Sequence, residues 1–84
     1  MNFYFSKHAL EELERRNIPK MLVERVLASP EQKHPVLDDI TCYQSRVEIS
    51  GKPYLLRVLV NETVNPSVVV TVFRTSKVRK YWRE

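Results

Sequence analysis

The side chains best suited to chemistry gather in the second half of the chain. Arg57 interrupts an otherwise apolar run, Tyr54-Leu55-Leu56-Arg57-Val58-Leu59-Val60. Arg74 closes a second run, Val68-Val69-Val70-Thr71-Val72-Phe73, and is followed by Lys77, Arg79, Lys80, Tyr81, Trp82 and Arg83. A cation inside a strand either faces a wet or anionic site or lays its stem on apolar surface with its head in water. Tyr81 stands four residues after Lys77, so on a helical turn the two share a face, as do Ser76 and Lys80. A phenol beside several cations can have a lowered pKa and can then give or take a proton. The alternative is that the Tyr81 and Trp82 rings pack on the sheet edge and anchor this segment. The chemistry on offer is charge stabilisation of an anion with a proton-transfer group beside it.

Other reactive residues offer less. His8 falls in the first turn of a helix, where the positive helix end favours neutral imidazole, and it reads as a surface histidine. His34 has no partner at metal-ligand spacing and reads as inert. Cys42 reads as a half-buried strand residue rather than a nucleophile. No paired carboxylates and no Ser-His-Asp set are visible, and a single glycine rules out a glycine-rich phosphate loop. The expectation is no metal and no cofactor.

Composition narrows the setting. At 84 residues and 43% hydrophobic content, the chain is expected to form one globular domain over residues 1–84. One cysteine excludes an internal disulfide and suits a reducing cytoplasm. No apolar run approaches the ~20 residues that span a bilayer, and no signal peptide is visible, so no membrane partner is expected. The formal net charge of +4 is lopsided. Residues 1–39 hold six Lys/Arg against seven Asp/Glu, whereas residues 40–84 hold eight against three. A one-sided basic surface favours an anionic partner such as nucleic acid or an acidic protein, although a solvated basic face would also serve solubility.

The elements that must position the cations follow from the pattern. Residues 2–5 are extended. Ser6 is a good N-cap for a helix over Lys7–Arg16, with Phe5 and Leu10 placed as a hydrophobic staple. Ala9, Leu10 and Leu13 form its stripe, and Glu11–Arg15 and Glu12–Arg16 are spaced as ion pairs. Asn17 closes this helix, and Pro19 opens a second that presents Leu22, Val23, Val26 and Leu27 and stops at Ser29-Pro30. Pro30–Asp39 reads as a loop with a short edge strand at Val36-Leu37. Three strands follow, at Ile40–Ser50, Pro53–Asn61 and Ser67–Thr75, with Gly51-Lys52 as the first turn. Thr75 or Ser76 caps a short helical turn to Trp82. The fold class expected is α+β, two helices on one face of a three- to four-stranded, mostly antiparallel sheet, with the other face free for binding. A Gly51-Lys52 turn would set Arg46 opposite Arg57, a like-charge pair that makes sense around an anion or an unseen acid.

The motifs S-K-H-A-L-x-x-L-x-x-R at Ser6–Arg16, I-P at Ile18-Pro19, S-P at Ser29-Pro30 and V-V-T-V-F-R-T-S-K-V-R-K-Y at Val69–Tyr81 resemble a small bacterial group in the RelE-like toxin superfamily. The resemblance covers nearly the whole chain. It implies a toxin of a type II toxin–antitoxin system, acting as a metal-independent endoribonuclease. Such enzymes cut messenger RNA by attack of the 2′-hydroxyl on the adjacent phosphate, commonly on the ribosome, and are held by a cognate antitoxin. By position, Arg57 and Arg74 match the arginines that steady the phosphorane, and Tyr81 matches the aromatic that assists proton transfer. Lys77 looks like an auxiliary phosphate contact, with Lys80 adding RNA attraction and Arg46 joining through the hairpin register. The general base is unassigned, with Glu48 the one sheet carboxylate in view. The same scaffold also implies an alternative, a non-catalytic module that binds RNA, gyrase or another protein.

Overall fold

A computed structural model describes residues 2–84. The sheet is built outward from β4 (Lys52–Asn61), which pairs antiparallel with β3 (Ile40–Ile49) on one side and with β5 (Ser67–Thr75) on the other. An antiparallel β2 (Gln32–Leu37) extends the β3 edge, and a short β1 (Phe3–Phe5) pairs parallel with β5. The order is β1-β5-β4-β3-β2. The α+β class and the two leading helices are as expected, but the sheet has five strands and one parallel pair. Phe3–Phe5 is extended as expected, but three strand residues are too few for alternation to mark β1 as part of the sheet. In β2, Pro35 and charged neighbours mimic a loop, yet Gln32 and His34 alternate onto one face and pair with Gln44 and Cys42.

Helix α1 spans Lys7–Arg15 and lies over β5. Ser6 caps it: its Oγ accepts from the Ala9 N–H at 3.0 Å and donates to the Val70 carbonyl at 3.2 Å. Val70 is the extra residue of a bulge, since Leu59 pairs with Thr71 and the next residue, Val60, pairs with Val69. The bulge thus frees a carbonyl that fixes the start of α1. Leu10 is 44% exposed, so it adds little to the core. The ion pairing is also redistributed, because Glu12 takes both Arg15 and Arg16, at 2.7 and 2.6 Å. Asn17 adopts φ 54° and ends the helix. Helix α2 spans Lys20–Ala28, with Pro19 at its N-cap, and lies over β3 and β4.

The main core forms between these helices and one sheet face. Ala9, Leu13, Val23, Val26 and Leu27 meet Leu56, Val58, Val60, Val69 and Val72, all buried. Each such Leu or Val side chain contributes about 1.5–3 kcal/mol by leaving water.

The β3–β4 turn corrects the expected register. Its central residues are Ser50 (φ 53°) and Gly51 (φ 77°), and Ile49 pairs with Lys52. Positive φ at both positions gives the turn whose twist matches the strands, and this outweighs the poor fit of serine to that region. Every pair therefore moves by two residues relative to a Gly51-Lys52 turn. Arg46 sits opposite Leu55, and Arg57 sits opposite Gln44. The like-charge cross-strand pair is replaced by a cation facing an amide.

Candidate functional site

One row of side chains crosses the sheet on the face away from the helices: Gln32, Gln44, Arg57 and Phe73, directly paired across β2, β3, β4 and β5. Paired residues share a face, and the Arg57 row is the centre of the site. This face is not left bare. The last segment of the chain folds back over it through α3 (Val78–Tyr81). Backbone groups hold that segment down. The Tyr81 carbonyl accepts from Gln44 Nε2 at 3.2 Å, the Arg83 N–H donates to Gln32 Oε1 at 3.0 Å, and the Arg83 carbonyl accepts from Gln32 Nε2. Gln44 Nε2 also donates to Gln32 Oε1 at 2.7 Å. The open face expected from sequence is thus partly roofed, and Leu55, Cys42 and Gln44 beneath it are fully buried.

Arg57 retains 9% exposure, which is little for a permanent cation. Its Nε donates to Gln44 Oε1 at 2.9 Å. Its guanidinium lies 4.5 Å from the Tyr81 ring centroid and 5.4 Å from that of Phe73. Each such contact is worth about 0.5–2 kcal/mol, the upper end when water is excluded. Among the described residues no carboxylate pairs with Arg57. Two aromatic rings and an amide therefore hold a cation in a fixed orientation without neutralising it. A cation held in this way can attract an anion.

Two neighbours were read from sequence as bystanders. Cys42 is fully buried, and burial pushes its thiol pKa up, with Arg57 partly offsetting this. His34, opposite Cys42, has a buried Nδ1 with no partner. Burial, then the charges of Arg83 and Arg57, hold its pKa below the usual imidazole range and favour the neutral ring. Neither signal was legible without the β2–β3 register. Gln44 and Gln32, the hub of the site, carry no charge and no motif.

The remaining predicted residues fall in different places. Tyr81 is brought against Arg57. Arg74 is not: it pairs with Leu56, on the helix-bearing face, and lies 4.6 Å from the Tyr54 ring. Strand alternation puts it on the opposite side of the sheet from Arg57. Arg46 shares the Arg57 face, one same-face position beyond Gln44, but it is bound to Glu31 by two contacts of 3.1 Å and stacks 4.2 Å from the Trp82 ring. Lys77 is exposed at the N-cap of α3, and Lys80 is exposed 5.3 Å from the Tyr81 ring. Glu48, on the Arg57 face, is exposed at the hairpin end, opposite Pro53. His8 lies at the β5 edge, its Nε2 3.3 Å from Thr71 Oγ1. Among the described residues there is no cluster of three or more His, Cys, Asp or Glu placed to hold a metal.

Fold and site together define a small α+β domain with a buried, uncompensated arginine under an aromatic roof. Residues 5–74 match the family described as "Domain of unknown function (DUF4258)", and the chain belongs to that family. The match includes Arg46, Arg57 and Arg74 and stops before the segment that carries Lys77, Lys80, Tyr81 and Trp82. No curated protein matches the chain. No solved structure matches it either. Among the described residues no helix is long and apolar enough to cross a membrane.

Proposed function

We propose that the protein binds single-stranded RNA, with one phosphodiester seated at Arg57. The observation that carries this reading is the Arg57 guanidinium, oriented by Gln44, Tyr81 and Phe73 and left without a carboxylate. A phosphate oxygen would accept from its terminal nitrogens and balance a charge that the protein leaves unmatched. Aromatic rings interleaved with cations along Phe73–Arg83 suit a splayed single strand better than a duplex, because bases can stack while the backbone tracks the positive groups. The eight-to-three excess of Lys/Arg over Asp/Glu in residues 40–84 supplies the longer-range attraction.

A second reading is cleavage, as the resemblance to RelE-like toxins implies, and the Tyr81 ring against Arg57 favours it. There, Arg57 would hold the scissile phosphate and the Tyr81 phenol would assist proton transfer during 2′-hydroxyl attack. Arg74, on the other side of the sheet, would not join that step, so binding is the better-supported reading. In a toxin–antitoxin pair, an acidic antitoxin segment would compete for the same face.

Two experiments separate the readings. Retention of a labelled single-stranded RNA, falling steeply with salt and leaving the strand intact, supports binding. Defined new 5′ ends on messages after induced expression, lost in Tyr81→Phe, support cleavage. RNA that is neither retained nor cut at low salt removes both.

A further inference from the structure

We infer that Trp82 forms a nucleobase-stacking subsite beside the Arg57 phosphate seat; this rests on the RNA-binding reading and deepens it. Trp82 is the chain's one tryptophan and is half-buried. It is not needed as an anchor. The backbone of Tyr81 and Arg83, which flank it in sequence, already ties the segment to Gln44 and Gln32. The indole is held as a platform instead. One side of it is clad by the Arg46 guanidinium at 4.2 Å, and Arg46 is in turn fixed by its two-pronged pair with Glu31. Because Glu31 already matches its charge, Arg46 backs the ring rather than taking a phosphate.

The same ring lines an open cleft of about 430 Å³, shared with Arg46, Val78, Arg79 and Glu84. That volume lies within the ~300–1,000 Å³ of small-molecule sites. Arg79, exposed and in no ion pair among the described residues, sits in this lining as a cation for the flanking phosphate. The cleft adjoins the Arg57 row through Arg46. Arg46 is the next residue after Gln44 on the same face, and Gln44 is directly opposite Arg57, which makes Arg46 and Arg57 diagonal neighbours about 7–8 Å apart. A strand with a phosphate on Arg57 would then place an adjacent base over the indole.

A single tryptophan makes the test direct. The full chain is titrated with a six-nucleotide single-stranded RNA while Trp82 emission is followed, and binding is measured independently by anisotropy of the fluorescein-labelled RNA. An abasic ribose-phosphate oligomer of the same length serves as a control. Trp82 emission is expected to quench with the same Kd as the anisotropy change, and to be unaltered by the abasic oligomer. Trp82→Leu should weaken RNA binding about 5- to 150-fold, the equivalent of one lost base stack, without changing the salt slope. Trp82→Phe, which keeps a ring, should weaken it less. If RNA binds by anisotropy while Trp82 emission is unchanged, or if Trp82→Leu binds as the wild type does, the subsite is wrong and the Arg57 seat stands. If RNA does not bind at low salt, the subsite and the RNA-binding reading fall together.

Discussion

Gln44 is the side chain on which the site is hung, and replacing it with leucine gives a quantitative test of that role. Leucine preserves bulk, so little cavity is created, but the three shorter hydrogen bonds of the amide are lost, together with a weak fourth from the Cys42 thiol at 3.7 Å. The bond from Arg57 Nε involves a charged donor, worth about 1.5–3 kcal/mol, and those to Gln32 and to the Tyr81 carbonyl are neutral, about 0.5–1.5 kcal/mol each. The sum is about 2.5–6 kcal/mol. The apolar surface that leucine buries returns about 1 kcal/mol, leaving a destabilisation of about 1.5–5 kcal/mol. With a urea m-value of about 1–1.5 kcal/mol/M for a chain of this size, the midpoint should fall by about 1–5 M. The lost bond to the Tyr81 carbonyl pins the segment that carries Trp82, so emission from the folded variant should shift to the red before the main transition. A change below about 1 kcal/mol with Trp82 emission unmoved would refute the idea that Gln44 organises this face.

Other consequences are simpler to check. The His34 pKa is depressed by burial and by the Arg83 and Arg57 charges, so below pH ~6.5 the unfolded chain takes up this proton more readily than the folded one. Stability should therefore decline as pH falls from 7 towards the folded pKa, and His34→Gln should flatten that slope in urea melts at pH 5.5–7. Glu12 is held at about 2 by its hydrogen bonds from Arg15 and Arg16. Its contribution is thus present above its unfolded pKa of ~4.3 and lost as pH falls towards 2, and Glu12→Gln should remove stability at pH 7 but matter much less at pH 2. Gly51→Ala should cost about 1–2 kcal/mol by thermal melt, because φ 77° is strained for a side chain even though nothing crowds a Cβ there; Gly51→Asn should cost less.

Much of the scaffold is legible because its signals are local. Ser6 can be read as a cap, Asn17 as a left-handed stop and Ser29-Pro30 as a helix end from a few residues each. The sheet cations are legible as an oddity, since an arginine amid Leu and Val needs a reason. What one strand cannot disclose is which face that arginine shares with which neighbour. Moving the β3–β4 turn by one residue re-paired Arg57 from Arg46 to Gln44, and alternation along β5 took Arg74 to the other side. Gln32 and His34 sit in a stretch whose prolines and charges imitate a loop, and they acquire meaning only once β2 is laid against β3. The roof over Arg57 is a long-range contact made by backbone carbonyls and amides, which leave no trace in residue type.

The central claim is that Arg57 is an anion seat rather than a structural cation. Its most direct test is the affinity of a short single-stranded RNA for wild type, Arg57→Lys and Arg57→Met across a series of KCl concentrations. The Met variant replaces a buried charge with an apolar chain of similar length, so it should stay folded, and urea melts run alongside will show this. If a phosphate sits on Arg57, the wild-type line of log K against log salt should lose about 0.7 from its slope in Arg57→Met, the share of one single-strand phosphate contact. Affinity should fall at every salt concentration, and Arg57→Lys should keep most of the slope while binding more weakly. Parallel lines of equal affinity for wild type and a folded Arg57→Met would contradict the claim.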